Sequence, residues 1–335
     1  MPRASCHNLR MSEAKEWAFP ESLQPRSDKV QFDLARALDS IVLVRARVPE
    51  DAFTARVLGT ERGGHGVVIR DDGLILTIGY LITEATSIWL TSNRGEVVPG
   101  WPLAYDAATG FGLIQPLAKL GASWLERGSA SNVRIGDDVT VIGHGGRSHS
   151  LVTNIIDKRE FAGYWEYVLD EALFTSPAHP EWSGTALLDR DGKLVGIGSL
   201  LLQQEINEQQ VHTNMFVPID LIEPILDELT KVGHTATRQA RPWLGMYTQE
   251  ADGNLVVGGL SPNGPAARVG IQEGDLVLGV GGTRAHTLAA FWRLVWRQGP
   301  AGIDVPLSLA RQGDVLRVIV KSADRNDFLK KPEVH

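Results

Sequence analysis

Ser183 is the residue best placed for covalent chemistry. It lies in His179-Pro-Glu-Trp-Ser-Gly-Thr-Ala, followed by Leu187-Leu-Asp-Arg-Asp-Gly-Lys-Leu-Val-Gly-Ile-Gly. Small residues come after the serine, then a strand, a tight Asp-Gly turn and a return strand, so the hydroxyl stands on a loop that enters a hairpin. A serine hydroxyl is a weak nucleophile until a neighbour accepts its proton. The histidines to weigh for that task are His65 in Gly63-Gly-His-Gly, His144 in Ile142-Gly-His-Gly-Gly, and His179 on the serine loop itself. His144 and His179 read as ordinary loop residues. No His, Cys and Asp cluster has metal-ligand spacing, and Gly63-Gly-His-Gly lacks the Lys-Ser/Thr of a phosphate loop, so no cofactor or metal is expected.

The text that must position these groups is mostly short strands separated by Gly, Asp and Asn turns. Val67-Val-Ile-Arg-Asp-Asp-Gly-Leu-Ile-Leu-Thr reads as a hairpin, and similar segments follow as far as residue 218. Many short strands at roughly ten-residue spacing indicate an all-β sandwich or a pair of barrels. A helix is expected over residues 33–41 and another over 221–232, closed by Gly233. Residues 233–241 read as a linker, and a second unit follows with a helix over 287–298 and strands at 305–309 and 315–320.

With 335 residues the chain is too long for one typical core. A net charge of −7 argues against nucleic-acid or anionic-lipid partners, and no apolar run reaches membrane-spanning length. Cys6 is the sole cysteine, so no internal disulfide can form. The expected compartment is the cytoplasm, with the periplasm open if the start is misassigned. Residues 1–28 read as a mobile arm whose Trp17 and Phe19 could dock on a neighbouring subunit, and the tail, 323–335, reads as loose.

Taken together, these motifs resemble the HtrA/Deg family, a trypsin-like protease domain followed by a PDZ domain. The resemblance rests on Ser261-Pro-Asn-Gly-Pro-Ala-Ala-Arg-Val-Gly-Ile-Gln-Glu-Gly-Asp-Leu-Val-Leu, on Tyr105-Asp-Ala-Ala-Thr-Gly-Phe-Gly-Leu-Ile, and on the Ser183 loop. It implies a mainly β protein: a double β-barrel over 29–232, the linker 233–241, and an α+β PDZ domain over 242–322. It also implies binding of polypeptide segments or C-terminal peptides in protein quality control, and a homo-oligomer, the family commonly being trimeric.

The departures from the family pattern fall on the chemistry. Tyr80 stands where the resemblance places the general-base histidine, and Gly110 where it places the orienting aspartate. Glu181 stands where a glycine amide helps to bind the oxyanion. A phenol with a reference pKa of about 10 is far from a useful base. Losing the base costs on the order of a millionfold in kcat in a well-studied triad. A glutamate at the donor position would oppose developing negative charge, and would be strained if its backbone needs positive φ. Impaired or absent catalysis is therefore expected. The alternative is an active endopeptidase with a rearranged site: a turn at Asp71–Gly73 sets His65 roughly opposite Gly79, beside Tyr80.

For the PDZ unit the resemblance assigns carboxylate capture to the loop Trp243-Leu244-Gly245-Met246 and peptide pairing to the strand that leaves Met246. On the helix over 287–298, Trp292 and Trp296 share a face and are the groove or domain-contact candidates. A third reading has this groove filled by the chain itself or by a partner.

Overall fold

The structure is a computed structural model that describes residues 17–206 and 209–331. Two closed six-stranded antiparallel barrels are followed by an open sheet. The first barrel holds β1 (Ile41–Arg47), β2 (Glu61–Val68), β3 (Ile75–Ile78), β4 (Ser87–Ser92), β5 (Val97–Tyr105) and β6 (Phe111–Pro116). The second holds β7 (Asp138–Ile142), β8 (Ser150–Gly163), β9 (Tyr167–Ser176), β10 (Ala186–Leu188), β11 (Leu194–Ile206) and β12 (Gln209–Pro218). In the sheet are β13 (Met246–Ala251), β14 (Asn254–Leu260), β15 (Leu276–Val280), β16 (Thr283–Arg284), β17 (Asp304–Arg311) and β18 (Asp314–Lys321). The helices are α1 (Leu34–Asp39), α2 (Ala55–Leu58), α3 (Leu226–Val232), α4 (Pro265–Arg268) and α5 (Leu288–Trp296).

Local chemistry sets the ends of these elements. Asp33 caps α1 by accepting from the Arg36 amide at 3.0 Å, and Thr287 caps α5 through the Ala290 amide at 3.2 Å. Gly233 ends α3 in the left-handed conformation. The expected helix over 221–232 is shorter than its apolar pattern suggested, because residues Ile219–Leu221 form a 3₁₀ turn first. Along β1 the side chains of Val42, Val44 and Ala46 point inward and Arg45 and Arg47 outward, the period-two pattern of a barrel wall.

The serine loop joins the barrels. The His65 amide donates to the Ser183 carbonyl at 2.7 Å, so β2 of the first barrel and the loop before β10 of the second touch backbone to backbone. Glycine makes this approach possible: a Cβ on Gly184 would lie 1.9 Å from the His65 carbonyl oxygen.

Two expectations about loose segments, the arm and the tail, are corrected, and the linker is seen to be anchored. Residues 17–28 are not a free arm: the Leu23 carbonyl accepts from Val152, and the Phe19 amide donates to Ser148. Trp17 and Phe19 pack edge-on against His179 of their own chain, with ring centroids 5.4 and 5.2 Å away. The linker is held where Arg238 pairs with Asp106 and Ala240 accepts from Ala301. In the tail, the Phe328 ring lies 4.7 Å from that of Trp243, and the Lys330 amide donates to Glu84 at 2.9 Å. Residues 1–16, including Cys6, and 332–335 lie outside the described residues.

Candidate functional site

Ser183 and Tyr80 meet across the barrel seam. Tyr80 belongs to a 3₁₀ turn, Gly79–Leu81, directly after β3, and its hydroxyl lies 2.7 Å from the Ser183 Oγ and 2.8 Å from the Ser199 carbonyl. A carbonyl can only accept, so the single phenolic proton goes to Ser199. The Ser183 hydroxyl is then the donor to Tyr80. Burial pushes the phenol well above its usual pKa, which removes the phenolate as a base.

Gly110 has φ +82°, and its carbonyl accepts from the Gly79 amide at 2.7 Å. A Cβ there would stand 3.1 Å from the Tyr167 hydroxyl, which itself donates to the Thr109 carbonyl at 2.6 Å. Tyrosines crowd the space a carboxylate would need: a Cβ on Gly79 would be 2.2 Å from the Tyr105 ring.

The donor position has also changed use. The Glu181 amide donates to the His179 Nδ1 at 3.1 Å, so it is spent within its own loop. The Glu181 carboxylate accepts from the Trp17 indole at 3.0 Å and lies 3.9 Å from the His65 Nε2. Among the described non-glycine residues, positive φ occurs at Glu84, Glu166, Asp252, Asn263 and Gln312, so the strain anticipated at Glu181 is absent.

His65 is inside the seam but not aimed at the serine hydroxyl. Its Nδ1 accepts from the His144 amide at 2.9 Å, which leaves the proton on Nε2, and among the described residues Nε2 has no hydrogen-bond partner. Burial first, then neighbouring His179 and His144, push its pKa down to about 3. The register expectation also shifts by one residue, since β2 and β3 pair Val67 with Leu76. His179 is fully buried, bonded to the His149 carbonyl at 2.9 Å, and pushed down to about 4. His144, half-buried, lies 3.3 Å from the Ser92 carbonyl.

In the second unit the loop before β13 presents three amides to one carboxylate. Leu244, Gly245 and Met246 lie at 3.1, 2.7 and 3.2 Å from Glu166 Oε1, and the Leu244 amide also reaches Oε2 at 3.1 Å. Glu166 ends the turn between β8 and β9. Trp243 is buried and pairs with Ala323. Trp292 is fully buried rather than lining an open groove, and its indole donates to the Gly163 carbonyl at 3.2 Å, which makes it a contact between the units. Trp296 is covered by the Arg241 guanidinium, 4.0 Å above its ring.

Glu166 and Tyr167 were not among the residues singled out from the sequence, and Tyr105 was quoted there only as part of a motif. The available signal was Tyr164-Trp165-Glu166-Tyr167, four bulky residues where a hairpin turn favours Gly or Asn.

Two barrels meeting at a serine, followed by a small sheet with a carboxylate-binding loop, define a trypsin-like peptidase fold carrying a PDZ domain. Family models agree: trypsin-like peptidase domain over residues 64–197 and PDZ domain over residues 242–321. The chain is 27% identical over 280 residues to a probable periplasmic serine endoprotease, DegP-like, of Halomonas elongata, covering 80% of this chain and 57% of that protein. It is 26% identical over 267 residues to the serine endoprotease DegS of Haemophilus influenzae, covering 77% of this chain and 76% of that one. A solved structure titled HtrA-type protease AlgW with decapeptide superposes with a TM-score of 0.52 at 20% identity, over 90% of this chain and 98% of that chain. The chain belongs to the HtrA/Deg family. The DegP-like relatives are named periplasmic, and the cytoplasmic expectation has no counterpart among them. Among the described residues no helix is long and apolar enough to cross a membrane.

Proposed function

We propose that this chain is an HtrA-type homologue with little or no peptide hydrolysis, which binds polypeptide segments or chain ends through its PDZ unit in protein quality control. The observation that carries the reading is the direction of the Ser183 hydroxyl. It donates to a phenol that in turn donates to Ser199, so the bond holds the serine without drawing off its proton. The engaged Glu181 amide supports the same reading, because a spent donor cannot stabilise a tetrahedral oxyanion. Chain-end recognition is supported by the converging amides of Leu244, Gly245 and Met246, which already hold a carboxylate.

An endopeptidase working through His65 would need an imidazole nitrogen on the Ser183 Oγ. His65 commits Nδ1 to His144 and directs Nε2 toward Glu181. The test is degradation of unfolded casein by the purified chain and its Ser183→Ala variant. Equal rates are expected, and serine-dependent cleavage would refute the proposal.

A further inference from the structure

The β8–β9 hairpin of the second barrel enters the PDZ unit as a bound ligand would. Its turn, residues 164–166, joins Gly163 to Tyr167, a paired position of the two strands. At the tip, the Glu166 carboxylate takes the amides of Leu244, Gly245 and Met246. Beside it, the Tyr164 carbonyl accepts from the Thr248 amide at 3.1 Å on the edge strand β13, and the Gly163 carbonyl accepts from Trp292 of α5 at 3.2 Å. Val168 is buried within the same apolar cluster as Leu244, Met246 and Trp292. The flanks are pinned by Arg293 of α5, which pairs with Glu160 and Asp170.

The backbone at Glu166 points to a role for its side chain. A three-residue hairpin loop ends in a left-handed residue, a position that favours glycine. Glu166 holds φ +65° there, a left-handed conformation that an L-residue adopts only at a cost. Glycine would serve the turn better, so what glutamate adds is the carboxylate.

We infer that Glu166 is a built-in stand-in for a chain end: it closes the carboxylate loop of the PDZ unit, and an incoming polypeptide with a free C-terminus binds by displacing it together with the hairpin tip. This rests on the peptide-binding reading above and adds its regulation. The occupied site lowers the apparent affinity for any chain end by the fraction of molecules whose hairpin is undocked. Displacement releases the hairpin tip while β8 and β9 stay in the barrel wall, and β9 runs at Ser176 into the loop that carries His179 and Ser183.

The test uses the full chain and two variants. Glu166→Gly removes the carboxylate and relieves the backbone, and Glu166→Gln keeps the shape while losing the charge. The probe is a fluorescein-labelled decapeptide library with free C-terminal carboxylates, beside the same library amidated. Amide hydrogen exchange at 244–246 is followed in parallel. Expected are an affinity for the carboxylate library at least about tenfold tighter in Glu166→Gly than in the parent, an intermediate Glu166→Gln, no gain for the amidated library, and faster exchange at the three amides. Equal affinity in parent and Glu166→Gly would overturn the stand-in and leave peptide binding intact. Faster exchange without binding by any variant would overturn peptide binding, and the inference with it.

Discussion

The Ser183 hydroxyl donates to the Tyr80 phenol across 2.7 Å, and the phenol passes its own proton to the Ser199 carbonyl at 2.8 Å. Proton flow in this chain ends on a backbone carbonyl, which cannot take a proton at any ordinary pH. In a working triad it ends on an imidazole that a carboxylate orients. On the proposed reading, the bond contributes to the seam between the barrels rather than to activation.

Removing the phenolic oxygen should cost stability and yield no activity. Tyr80→Phe leaves the Ser199 carbonyl without its donor, a loss of about 1–3 kcal/mol. Urea unfolding is expected to show a lower midpoint at unchanged slope, with casein cleavage still at the Ser183→Ala level.

Restoring the triad residues should fail. Gly110→Asp places an L-residue at φ +82° and its Cβ 3.1 Å from the Tyr167 hydroxyl, which should destabilise by about 1–3 kcal/mol. The double variant Tyr80→His, Gly110→Asp is expected to remain inactive on casein, because the Glu181 amide still serves His179. Appreciable cleavage by the double variant would show that the oxyanion donors are available after all.

Acid should loosen the seam. His65 and His179 sit at about 3 and about 4 in the fold against a usual 6.5, chiefly through burial, so the unfolded chain binds more protons below pH 6.5. The groups facing them are each other, His144, His149 and Glu181. Their contribution is complete above pH 6.5 and lost as pH falls through 4 toward 3. Glu166 has the opposite sign: burial raises it to about 7 despite its amide bonds and the nearby Arg325, so its contribution is full below 4.5 and lost as pH rises through 7. Urea midpoints between pH 7.5 and 4.5 are expected to fall less in His65→Gln than in the parent. Parallel profiles would contradict the buried neutral imidazole.

Much of this was legible in the sequence because it depends on local pattern. Strand alternation and the Asp-Gly turns pointed to an all-β sandwich or a pair of barrels, and the resemblance, carried by the Ser183 loop and by Ser261-Pro-Asn-Gly-Pro, implied two barrels and a PDZ unit. The Tyr80, Gly110 and Glu181 departures were visible as residue types at matched positions. What escaped depends on long-range geometry. Two facts decided the role of His65: the His144 amide reaches its Nδ1, and the β2–β3 ladder pairs one residue away from the turn-based register. The binding of Glu166 at Leu244, Gly245 and Met246 joins residues about eighty positions apart. Segment polarity misjudged residues 17–28 and 323–331, since Phe19 and Phe328 pack their rings against distant aromatics.

The most direct test of the central claim is covalent trapping of Ser183 by a fluorophosphonate, read by intact-mass spectrometry on the full chain and its Ser183→Ala variant. A serine that no base activates should give no adduct in either protein. A stoichiometric adduct on the parent, absent from Ser183→Ala and abolished by His65→Ala, would contradict the account and make the chain a serine endopeptidase with a relocated base.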